Sequence, residues 1–368
     1  MSRVLTIMLV AAFVLGSSAV VLAGGTALPP DPYPRVGGCS VWANGQVYWL
    51  LGRAAGPDPT DAEGKTYGCD TGTAGVSRYN PTTGAWESSK YDGTGPLGMD
   101  QDGNGICDWL PGGGQYIGNW TQSNHAVAYD DDSDGVEEIF VAFGFYQDKI
   151  WKYDPNAAAR GAWSVAASSS EWGANAGFRR GAVGIYNGKI YLASGGGANV
   201  TGKFGSYDIA TGVFTNYANG PNSQQCGSIV LNGKFYIVGG TANSGLNIYE
   251  CDLTQNPPVW SNGGNPVATL QVGVVFPAVV SYNGKVYVIG GRKADGSASD
   301  VIQEFDPVYG LVTVKGTFPL GCSGRWALGA GVNPATGVLY FGGGGVGGDA
   351  YRPNSILTDW WSTDLDDA

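Results

Sequence analysis

Apolar and polar positions along this chain fall into a unit that recurs. Segments 181–197, 227–240 and 277–291 share one pattern: an apolar strand, the pair Asn-Gly, and a second apolar strand rich in Tyr and β-branched residues that ends on Gly-Gly. Asn187-Gly188, Asn232-Gly233 and Asn283-Gly284 accept the positive φ angles of a type I′ turn, so each segment predicts a tight antiparallel hairpin. A third strand follows, carrying an aromatic and an acid before a turn: Tyr207-Asp208, Tyr249-Glu250, Phe305-Asp306. A fourth often holds an aromatic, as at Trp86, Phe214 and Trp260. Four antiparallel strands make one blade, and the turn asparagines recur at 45 and 51 residues, which is blade spacing.

Looser copies lie at 41–52 with 78–86, at 125–144 with 151–163, and at 326–345. Six units therefore cover essentially the whole chain after residue 23. These segments resemble the kelch repeat, in which a strand, a small turn, a strand ending in Gly-Gly, a downstream Tyr and a later Trp follow one another. The resemblance implies an all-β fold, a six-bladed kelch-type β-propeller filling residues 24–368 as one domain, with insertions at 54–75 and 92–121. Phe214 replaces the Trp of blade three, and blade five has none. Blade six shows no obvious fourth strand, and the resemblance implies that residues 26–34 supply it and close the ring. A strand-forming segment hidden in 92–121 would make seven blades instead, against its Gly-rich composition.

Residues 1–23 read as a cleaved signal peptide: Arg3, a long apolar run, then small residues ending Val21-Leu-Ala23; the alternative is an uncleaved anchor, since the run is long enough to span a bilayer. The expected location is extracytoplasmic, secreted or periplasmic, with no membrane role beyond export. The chain carries 20 basic and 31 acidic side chains, a formal net charge of −11, which speaks against nucleic acid as a partner. Six cysteines in an exported chain point to disulfides. The expected pairs are Cys69 with Cys107, one in each insertion, and Cys39 with Cys322 across the ring closure.

Strands that alternate in direction sort residues between two rims. The insertion rim holds the starts of first strands and the links between second and third strands. Arg35, Arg179, Arg180 and Arg325 precede first strands, and Arg53 and Arg292 follow second strands. Their guanidiniums suit carboxylate or sulfate groups; the alternative is that they brace blades against each other. Both insertions belong to this rim, and Trp109 and Trp120, with Tyr67 and Tyr116, offer surface for stacking on sugar rings or for packing as a cap. The turn rim collects the Asn-Gly hairpins, Lys189, Lys234, Lys285 and an acidic cluster, and reads as a solvated face.

Two acidic stretches have calcium-loop spacing. Asp100, Asp102, Asn104 and Asp108 place oxygens at loop positions 1, 3, 5 and 9, and Asp130, Asp132, Asp134 and Glu138 repeat the pattern. Each has Gly at position 6 and lacks the Glu at 12, so the expectation is Ca2+ outside an EF-hand, or simple acidic turns. His125 is the sole histidine and cannot build a multi-histidine metal site. No nucleophile elbow or phosphate-binding loop appears. The expected role is therefore a secreted binding protein recognising a glycan or an extracellular protein through the insertion rim. An enzyme acting on acidic polysaccharide and a structural envelope or matrix component are the alternatives.

Overall fold

Six antiparallel sheets stand around one axis in the computed structural model of the protein, which describes residues 24–31, 35–54, 76–88, 126–144, 148–157, 161–173, 178, 180–196, 200–348 and 354–366. Blade one runs Cys39–Ala43, Gln46–Leu50, Val76–Asn80 and Ala85–Ser88. The first strands of the next four blades are Ala126–Tyr129, Ala182–Tyr186, Gly227–Leu231 and Ala278–Tyr282. In all of them chain order equals spatial order from the axis outward, so every first strand is a sheet edge on the axis. First strands touch in succession round the circle, and blade one meets blade two directly, leaving no place for a seventh.

Blade six joins the two ends of the chain. Gly329–Val332, Val338–Gly342 and Trp360–Asp364 supply three strands, and Thr26–Leu28 pairs with the last of them, Thr26 facing Ser362 and Leu28 facing Trp360. Asp31 N–H donates to the Thr358 carbonyl at 3.0 Å, and Trp86 Nε1 to the Pro29 carbonyl at 2.7 Å. The first and last strands of the propeller thus form one sheet, joined by backbone hydrogen bonds.

Period-two alternation builds the core. In blade five Val286 and Val288 pack toward blade four, while Tyr287 and Ile289 pack toward blade six. Each of the six gaps between blades holds its own apolar cluster. The same alternation overturns the Cys39–Cys322 pairing. Cys39, Val41 and Ala43 face blade two, whereas Ser40 and Trp42 face blade six. Cys39 is therefore on the wrong side of its sheet: its thiol donates to the Leu50 carbonyl at 3.7 Å, and Cys322 accepts from Arg325 at 3.2 Å. Cys226, Cys251 and Cys322 are thiols, and burial pushes each up to about 12. Cys69, Cys107 and residues 1–23, the expected signal peptide, lie outside the described residues.

Candidate functional site

The insertion rim is built by the residues just before each first strand. Gly37, Arg180, Gln225, Phe276 and Ala327 all have φ between 50° and 69°, and four of these five are not glycine, a conformation with a real steric cost. The return is a run of backbone hydrogen bonds from blade three through blades four, five and six to blade one. Gln225 N–H donates to the Arg180 carbonyl (2.7 Å), Phe276 to Gln225 (2.7 Å), Ala327 to Phe276 (2.9 Å) and Gly37 to Ala327 (3.1 Å). Phe276, Trp326 and Ala327 pack with Val36 beneath it, and the Arg180 guanidinium lies 5.9 Å from the Phe276 ring centroid.

Arg35 and Arg325 occupy the position two residues before this run in blades one and six, and both are fully buried. Arg35 donates to the Trp49 carbonyl (3.1 Å) and to Ser77 Oγ (2.7 Å), and approaches Asp31 Oδ2 at 3.5 Å; Ser77 in turn donates to Asp31 Oδ1 at 2.9 Å. Arg325 grips both carboxylate oxygens of Asp359 at 3.1 and 2.7 Å and reaches the carbonyls of Ser323 and Gly343. Burial by itself raises the Asp359 pKa, and the Arg325 guanidinium and the Trp361 indole N–H bring it below the usual range. Two guanidiniums with internal partners and no exposed surface tie down the segments on either side of the ring closure; they do not reach solvent. In the other blades this position is Phe178, Ser223 or Val274; Ser223 Oγ donates to the Gly239 carbonyl at 2.7 Å.

Arg180 is 3% exposed. Half-buried Arg292 donates to the Gly348 carbonyl at 3.1 Å. For Arg53 the backbone alone is described, in a short ladder with Val36. Arg179, Trp109, Trp120, His125 and the set Asp100, Asp102, Asn104 and Asp108 lie outside the described residues. The strands flanking both insertions end on this rim: Arg53–Ala54 and Val76–Asn80 around the first, Ala85–Ser88 and Ala126–Tyr129 around the second.

On the turn rim, Asp130, Asp132 and Asp134 each present a carboxylate oxygen within 4.8 Å of the others. Asp132 Oδ1 accepts from Asp134 N–H (3.1 Å), and Asp134 Oδ1 from Val136 N–H (2.8 Å). Asp130 Oδ2 accepts from Gly135 N–H at 3.0 Å, while Asp130 Oδ1 is buried with no partner. An orphaned buried carboxylate oxygen beside two more carboxylates fits a hard cation. Glu138 does not join them. It is 1% exposed and accepts from Asp131 N–H at 3.0 Å, and burial, then its hydrogen bond with Asp131, raises its pKa to about 7. The expected position-9 ligand is instead part of the base of the loop. Strand alternation turns it inward, and the Asp131–Lys152 ion pair at 2.7 Å holds the base beside it.

Between the rims the first strands enclose a cavity of about 300 Å³. Its wall runs from the level of Ser40, Val183 and Ser228 to the turns at Glu137 and Pro334, and none of the five left-handed residues of the insertion rim lines it. It is therefore a cup directed at the turn rim. At its floor two blade seams use the same device. Ser40 Oγ accepts from Ala330 N–H (2.8 Å) and donates to the Ala330 carbonyl (2.9 Å), and Ser228 does the same to Val183 (2.9 and 2.9 Å). Sequence reading missed these serines, the left-handed run and Glu137; the fixed offset from each Asn-Gly turn was the available signal for the serines.

The description "Kelch motif" matches residues 274–308. Kelch-like protein 24 of Rattus norvegicus is 34% identical over 118 residues, covering 32% of this chain and 18% of its own length. Kelch-like protein 15 of Danio rerio is 26% identical over 113 residues, covering 26% of this chain and 19% of its own. The chain thus spans less than a fifth of the length of these curated relatives. A solved structure titled "Structure of YjhT" superposes with a TM-score of 0.58 at 16% identity, over 90% of this chain and 95% of the other, a likeness of fold.

Proposed function

We propose that this chain, a kelch-repeat β-propeller of six blades, is an exported binding protein that holds a glycan or an extracellular protein on its insertion rim. The observation that carries this is topological: both long insertions leave and rejoin the propeller on the same rim, where backbone hydrogen bonds tie five blades into a rigid base. Aromatic residues on loops held by a rigid scaffold are the usual material of recognition surfaces. Arg53, Arg179 and Arg292 are the cations assigned to an acidic group of the ligand; Arg180, 3% exposed, is not. Arg35 and Arg325 are spent on ring closure and drop out of that set.

A glycan array that includes uronate and sulfated oligosaccharides, with a panel of extracellular matrix proteins, tests the reading. The expected result is at least one saturable ligand whose binding falls about tenfold or more in Trp109→Ala or Trp120→Ala, the size expected for loss of a buried aromatic anchor. A ligand retained by both variants, or turnover of the polysaccharide in place of binding, would overturn it. The same reading assigns Ca2+ to Asp130, Asp132 and Asp134, supported by the orphaned Asp130 oxygen. A melting temperature that is higher in calcium than in chelator, with the difference abolished in Asp132→Asn, is the expected result; identical melts would remove calcium from the account.

A further inference from the structure

The cup on the turn rim is distinct in position and chemistry from the ligand surface proposed above. Its side chains are mostly apolar, such as Trp42, Ile185, Val230, Val279 and Val332, with the axial edges of six strands between them. An edge strand presents N–H and C=O groups that no sheet partner takes. Among the lining residues Glu137 alone is ionisable. Its Oε2 accepts from the Asn44 backbone N–H at 3.2 Å, and Asn44 and Glu137 exchange two further hydrogen bonds of 2.9 and 2.8 Å, so the carboxylate is held by a clasp between blades one and two. Its second oxygen has no partner among the described residues.

Among the described residues no cation answers it. Lys189, Lys234 and Lys285 begin the second strands on this rim, but they turn outward onto third-strand carboxylates: Asp208 at 3.4 Å, Asp252 at 2.8 Å and Glu304 at 2.5 Å. Asp130, Asp132 and Asp134 stand on the turn that carries Glu137 and add negative potential at the mouth. An anion entering here would meet only like charge, and a neutral solute would leave Glu137 unanswered. A volume of about 300 Å³ is at the small end for ligand pockets.

We infer that the cup is a binding site for a small organic cation, a primary ammonium group on a short apolar body, with the ammonium on Glu137 and the body among the valines of the first strands. The backbone carbonyls of the strand edges are further acceptors for the ammonium hydrogens. The site is independent of the insertion rim, so Trp109→Ala leaves it unchanged.

The test titrates n-butylammonium, n-butanol and butyrate into the full chain and follows valine and isoleucine methyl resonances. Saturable shifts at Val230, Val279 and Val332 with n-butylammonium alone are expected. Glu137→Gln keeps an acceptor for Asn44 and removes the charge, and about a tenfold or greater loss of affinity is expected, the scale of a charge-assisted hydrogen bond. Asp132→Asn should change affinity by less than about threefold, since an exposed rim charge is largely screened. The inference is overturned if n-butanol shifts the same methyls equally, if Glu137→Gln binds as well as the unaltered chain, or if the loss follows Asp132→Asn instead. Should Glu137→Gln fail to fold, the three probes on the unaltered chain decide between an ammonium site and an apolar cavity.

Discussion

The two rims of this propeller are made from the same strands yet hold themselves together by opposite means. The insertion rim is locked tangentially: residues in the left-handed region pass hydrogen bonds from blade to blade, and buried arginines pin the closing segments. The turn rim is a set of hairpins, four of them on Asn-Gly, each laddered within its own blade, with cross-blade contact through side chains such as the Asn44–Glu137 clasp and the Tyr282 hydroxyl on Asp366. The first rim therefore offers a rigid base for long insertions. The second leaves the axial cavity open between independent turns.

Arg35→Ala is expected to have the largest effect on this contrast. It removes the guanidinium from beside Asp31, 1% exposed, and losing one partner of a buried pair costs roughly 3–5 kcal/mol. Urea unfolding should show that loss, while Arg292→Ala on the same rim costs about 1 kcal/mol or less, the value of one hydrogen bond. Equal effects would mean that ring closure does not depend on the buried cation.

Next in size is the seam between blades three and four. A Cβ at Gly184 meets Val230 Cγ2 at 2.6 Å and Phe235 Cε2 at 2.9 Å, so Gly184→Ala should cost about 1–3 kcal/mol by overpacking. Ser228→Ala orphans the N–H and carbonyl of Val183 at the cup floor and should cost about 1–2 kcal/mol, unless water replaces the hydroxyl. Thermal melts compare the two directly. A harmless Gly184→Ala would show that the seam is looser than its geometry.

On the turn rim, Asn283→Ala puts Cβ chemistry less suited to φ of 47° into an isolated hairpin and should cost about 1 kcal/mol. Its cost should not depend on any substitution at the insertion rim, because distant sites add; measured coupling between Asn283→Ala and Arg35→Ala would break the picture of independent turns.

The smallest effect is acid dependence at Asp359. Its pKa is depressed in the folded state despite burial, chiefly by Arg325, so its contribution is complete above the unfolded-state value near 4. It is lost as pH falls through the lower folded value. The stability difference between the unaltered chain and Arg325→Met should therefore shrink as pH is taken below about 4. A difference independent of pH would assign Arg325 a packing role only.

The blades were legible because their information is local. An Asn-Gly between two alternating apolar runs specifies a hairpin with no help from the rest of the chain, and its recurrence implies a ring, since only neighbouring copies can bury both faces of such a sheet. Which face of a strand meets which blade is also written in the alternation, and Cys39 was misread for want of applying it: odd positions of its strand look to blade two, even ones to blade six. Chain order alone puts Arg35, Arg53, Arg180, Arg292 and Arg325 on the insertion rim, where their backbones lie. Their depth was not legible, because burial of Arg35 depends on Asp31 and Ser77 arriving from two other strands.

The sequence by itself therefore determined the repeat, the strand order within each blade and the sorting of residues between rims, all consequences of short-range turn chemistry and period-two patterning. Tertiary structure alone decided that Glu137 meets Asn44 of blade one and faces the axis, and that left-handed residues of five blades link through backbone hydrogen bonds along the insertion rim. Each of those facts joins groups brought together only by closing the circle, and no local pattern encodes a distance across it.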